Sequence, residues 1–91
     1  MKTIVIQIGN SDDKLSQSSW ADYISDVNRL LFSQHIHFSG GSAPDHPWQN
    51  YCWVIECEDD AVRLIEYKLT QIRIAHRQDS IAFTIGNTEF I

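Results

Sequence analysis

From Thr3 to Ile8 the side chains alternate, with Ile4, Ile6 and Ile8 on one side and Thr3, Val5 and Gln7 on the other. A period of two marks a strand with one buried face. Gly9-Asn10-Ser11-Asp12-Asp13 then breaks the pattern with turn-forming residues. Beyond it the spacing becomes helical. Trp20, Tyr23, Ile24, Val27, Leu30 and Leu31 line one stripe and predict a helix over about 17–33. Ser16 is positioned to cap its first turn, with Leu15 ahead of it to pack on Trp20.

Alternation returns at His35-Ile36-His37-Phe38-Ser39, which places Ile36 and Phe38 inward, and again at Tyr51, Trp53 and Ile55. Gly40 to Gln49, a ten-residue stretch with two Gly and both prolines, reads as the connection between these strands. Val62, Ile65, Leu69, Ile72 and His76 mark the inward stripe of a second helix, with Asp59 or Asp60 as its cap. Ile81, Phe83 and Ile85 predict a last strand before Gly86-Asn87.

The order strand–helix–strand–strand–helix–strand, with each element apolar on one side, calls for two layers: a four-stranded antiparallel sheet and two helices on one of its faces. Placing the third strand between the first two gives the order 4-1-3-2, an α+β sandwich that resembles the ferredoxin-like families. A chain of 91 residues supplies one core, so the whole of 1–91 is expected to form a single domain.

Order alone does not assign activity; the residues that distinguish each familiar branch do. RNA-recognition domains stack bases on exposed aromatics beside basic residues. Here Phe38, Trp53 and Phe83 alternate with the apolar set, and the third strand runs into Glu56. The metal-chaperone branch resembles this chain in fold order but carries a Cys pair in its first loop, where Gly9–Lys14 has none. Acylphosphatase-like enzymes hold phosphate with an Arg in that loop; here the place is taken by Asn10-Ser11-Asp12-Asp13. Dimeric stress-protein barrels and amino-acid-sensing regulatory domains remain compatible, with no motif that selects them.

Charge narrows the partners. Twelve acidic against seven basic side chains give a net charge of −5, which disfavours nucleic acid and anionic membrane and favours a basic protein partner. The N-terminal segment shows no signal-peptide pattern, and no apolar run nears the ~20 residues of a membrane helix. Cys52 and Cys57, five apart on one strand, point to opposite faces and cannot bridge each other. Together these features suit a cytoplasmic protein.

The predicted topology brings three connections to one edge of the sheet. Asn10 and Asp12 come from the first, Asp45, His46, Trp48 and Gln49 from the second, and Arg77, Gln78 and Asp79 from the third. Loops on a rigid scaffold are where binding groups gather. These nine residues are the candidate site, with Trp48 as its anchor. No catalytic triad, cofactor motif or metal motif accompanies them. The reading is a non-catalytic binding protein that engages a protein partner, by analogy with small acidic inhibitors, immunity proteins and phage counter-defence proteins. Two alternatives stand beside it. One is a binder of a small molecule or nucleotide, dimeric through the open sheet face, with its pocket at the same loops. The other is a small enzyme using His46 as acid and base. On the open face, pairing Ser39 near Asn50 would set His37 opposite Cys52 and His35 opposite Val54, donor types that suit zinc.

Overall fold

The computed structural model describes residues 1–10, 14–42 and 49–91. Its elements follow the expected order: β1 (Lys2–Asn10), α1 (Gln17–Leu31), β2 (His35–Gly41), β3 (Gln49–Cys57), α2 (Val62–Ala75) and β4 (Ala82–Asn87). The sheet order is β2-β3-β1-β4, with every pairing antiparallel. This is the ferredoxin-like α+β sandwich. None of the described helices is long and apolar enough to cross a membrane.

The core follows from the alternation. Ile4, Ile6, Ile8, Trp53 and Ile55 project from the two central strands into Trp20, Tyr23, Val27 and Leu31 of α1 and Val62, Ile65 and Leu69 of α2. The two central strands pair along their whole length, Lys2 opposite Cys57 through Asn10 opposite Gln49. Polar groups tie sheet to helix and helix to helix. Trp53 Nε1–H donates to Asn28 Oδ1 at 2.8 Å, and His76 Nε2 lies 2.7 Å from Asp26 Oδ2 while its ring stacks on Tyr23. Burial pushes the Tyr23 hydroxyl up to about 12, with Arg73 pulling weakly the other way.

The helix ends differ from expectation in instructive ways. Ser16 caps α1 as read, its Oγ accepting from Ser19 N–H at 3.2 Å. Neither Asp59 nor Asp60 caps α2. They lie in a short 3-10 turn, Asp59–Ala61, and Asp59 instead meets the Met1 ammonium at 3.0 Å, which holds its carboxyl below the ordinary range. At the far end of α2, Gln78 N–H donates to Arg73 C=O and Arg77 N–H to Ile74 C=O, a Schellman closure. It forces Arg77 to φ 57°, where glycine is normally found. Arg77→Gly is therefore expected to raise stability by about 1 kcal/mol in urea unfolding. A lower midpoint would mean that the Arg77 side chain makes contacts that outweigh the strain.

β2 departs most. It runs on through Gly40 and Gly41, so the connection is 42–48 rather than 40–49. Gly41 is required there, because a Cβ at that position would lie 2.4 Å from Asn50 O and 2.7 Å from Tyr51 Cδ2. A bulge at His37 also shifts the register: Ile36 pairs with Ile55, but Phe38 pairs with Val54. Val54 belongs to the open face, so Phe38 turns to that face and is 55% exposed, and Ser39, opposite Trp53, takes the helix side while remaining exposed.

Candidate functional site

The roots of the three connections do meet at one edge. Asn10 and Gln49 are cross-strand partners, and Lys14 Nζ reaches Asp79 Oδ2 at 3.2 Å from the α2–β4 turn. Asn10 and Gln49 are nonetheless buried, at 1% and 5% exposure, and their side chains are occupied. Asn10 Nδ2 donates to Leu15 C=O at 3.0 Å and to Gln49 Oε1 at 3.2 Å, while Asn10 Oδ1 accepts from Leu15 N–H at 3.0 Å. Gln49 exchanges a further pair of hydrogen bonds with Gln17, at 2.8 and 3.0 Å. These bonds fix the ends of the loops and engage the Asn10 and Gln49 amides within the protein. The turn chemistry of Asn10 was visible in the sequence; the part played by Gln17 was not, because nothing in its spacing ties it to Gln49.

Among the other candidates, Arg77 is exposed at the helix closure and Asp79 is exposed beside Lys14. Gln78 folds back, its Nε2 donating to His76 C=O at 3.1 Å and its own C=O accepting from Arg73 Nη1 at 3.0 Å. Asp12, Asp45, His46 and Trp48 lie outside the described residues. Beside the second connection, Gln17, Trp20, Ile24, Ser42, Gln49 and Tyr51 line a concavity of about 260 Å³. A second one of about 270 Å³ lies between α2 and β4, against Leu69, Arg73, Ile81 and Phe83. Both fall just under the ~300 Å³ at which small-molecule pockets begin.

On the open face the register separates Cys52 from the histidines. Cys52 pairs with Gly40, whereas His35 pairs with Glu56. Cys52 and Glu56 are four residue steps apart along the strand, ~13 Å. Cys57 is on the inner face and buried, which raises its thiol above the ordinary value, with Asp59 and Glu58 adding to the effect. Cys57 is not placed as an activated nucleophile. Comparison with protein-family models and with curated proteins gave no match.

Proposed function

We propose that this domain is a non-catalytic binding protein that engages a protein partner through the edge where the β1–α1, β2–β3 and α2–β4 connections converge. The observation that carries this reading is the amide network in which buried Asn10 and Gln49 are joined to exposed Gln17. Apolar residues at positions 10 and 49 would cover the core at less risk, since each buried amide left unpaired costs about 1–3 kcal/mol. What the amides add is a fixed geometry at the loop roots, which lowers the ordering cost of binding by the loops they hold. The net charge of −5 favours a basic surface on the partner.

Trp48 is the anchor in this reading. Trp48→Ala is expected to weaken the partner complex by about 2 kcal/mol, roughly 30-fold, with the far-ultraviolet spectrum unchanged. Unaltered affinity in a titration against the captured partner would remove Trp48 from the interface. A second reading, a small-ligand binder at the same edge, is favoured by the concavity beside Trp20 and Tyr51. A thermal shift with a metabolite or nucleotide panel, in the absence of any stable protein complex, would support it over the first.

A further inference from the structure

The geometry points to a divalent-metal site on the open face of the sheet, formed by His35, His37 and Glu56 and matched to zinc. One donor atom from each of the three lies within 4.8 Å of the other two. The bulge builds this cluster. His35 is paired across to Glu56, and the extra residue in β2 brings His37 alongside, with its Nε2 3.8 Å from Glu56 Oε2 and its ring centroid 4.6 Å from that of His35.

Glu56 supplies the second, independent sign. Its side chain is only 13% exposed although it lies on the face without helices, and its Oε1 is buried with no hydrogen-bond partner among the described residues. A desolvated carboxylate oxygen without a donor is costly, and a bound cation is one way to offset it. The surroundings restrict access on one side. The segment after β4 crosses from Thr88, whose Oγ1 meets Thr3 Oγ1 on β1, to Phe90, whose ring lies 6.4 Å from that of His37 on β2.

Two imidazoles and one carboxylate are a zinc donor set rather than a magnesium or calcium one, which would be all oxygen. Tetrahedral zinc at ~2.0–2.1 Å from each ligand holds its donors roughly 3.3 Å apart. Closing from separations of up to 4.8 Å takes about 1.5 Å of relative side-chain movement, with the backbone already in register. Three protein ligands leave a fourth position for water or for a group from outside.

The test is zinc titration of tag-free protein by calorimetry, alongside thermal unfolding. Saturating Zn²⁺ is expected to raise the unfolding midpoint by about 5 °C or more, and Mg²⁺ to leave it unchanged. His35→Ala and His37→Ala are expected to weaken zinc binding by roughly 100-fold or more, since loss of an outer-shell partner alone costs ~10–100-fold. Both histidines are exposed on an edge strand, so these variants should fold, and metal-free unfolding curves check that they do. Glu56→Gln is expected to weaken zinc binding while leaving metal-free stability equal or higher, because it removes the stranded charge. Cys52→Ser should bind zinc as the parent does, and bound Co²⁺ should show tetrahedral visible bands without thiolate charge transfer. Absence of zinc binding, zinc affinity in the three ligand variants equal to the parent's, or loss of binding in Cys52→Ser would each overturn the assignment.

Discussion

Trp53→Ala is expected to remove about 4 kcal/mol of stability, the largest loss from any single truncation in this domain. Trp53 is fully buried at the middle of β3, and its ring packs beside Tyr51 with centroids 4.6 Å apart. A chain of this length has a total stability of about 5–14 kcal/mol, so the substitution would consume a large part of it. Trp53→Phe separates the two contributions of the indole. It keeps most of the apolar volume and deletes the bond from Nε1 to Asn28 Oδ1. Asn28 is exposed, so its oxygen can turn to water and no buried acceptor is stranded. The cost should fall to about 1–2 kcal/mol. If the two variants proved equally destabilised in urea, the tie to α1, and not the volume, would be what Trp53 contributes.

Asn10→Asp is expected to be the second most damaging, at about 3 kcal/mol near neutral pH, although it changes one atom type. The amide nitrogen of Asn10 donates to two oxygens, Leu15 C=O and Gln49 Oε1. A carboxylate there would face both with lone pairs, and at 1% exposure no water can intervene. Gln49 could relieve its half by turning its amide over, but the Leu15 carbonyl cannot. Burial without a cation would raise the pKa of the introduced Asp in the folded state. A raised folded pKa means that the native state takes up the proton first. The deficit relative to the parent should therefore be full above that pKa and shrink as pH falls through it toward ~3.9, the unfolded value. A deficit independent of pH would show that the introduced carboxyl reaches solvent. Asn10→Ala, which strands the Leu15 N–H and C=O without adding charge, should show no such convergence.

What could be read in advance divides along physical lines. Strands β1 and β3 are flanked by partners on both sides, so their inward positions had to be apolar, and Ile4, Ile6, Ile8, Trp53 and Ile55 announce it. The stripes of α1 and α2 are legible for the same reason. β2 is an edge strand with little buried surface, and there the pattern misled. Alternation assigned Phe38 to the core, but a bulge leaves no mark in composition and reverses every facing beyond it. Gly40 and Gly41 read as a turn, although Gly41 is a strand residue without room for a side chain. At the loop edge, the roots of the three connections meet as the topology implied, while the roles of Asn10 and Gln49 were inverted. Asn10 and Gln49, taken as groups offered to a partner, are sealed inside, because a hydrogen-bonded amide is spelled the same way whether its partner is external or internal. Likewise His35 and His37 were picked out with Cys52, and the shifted register gives them Glu56 instead.

The central position of β1 and β3 has a kinetic consequence. Their ladder joins residues 39 to 55 positions apart, so the middle of the sheet cannot assemble until a long stretch of chain has been brought back on itself. The two helices and the β2–β3 hairpin can flicker into being on their own, yet none of them buries Ile4, Ile6 or Ile8. The barrier to forming this protein should thus be crossed when the first strand docks onto an already paired hairpin, at the millisecond rates of mixed topologies rather than the microseconds of helical ones.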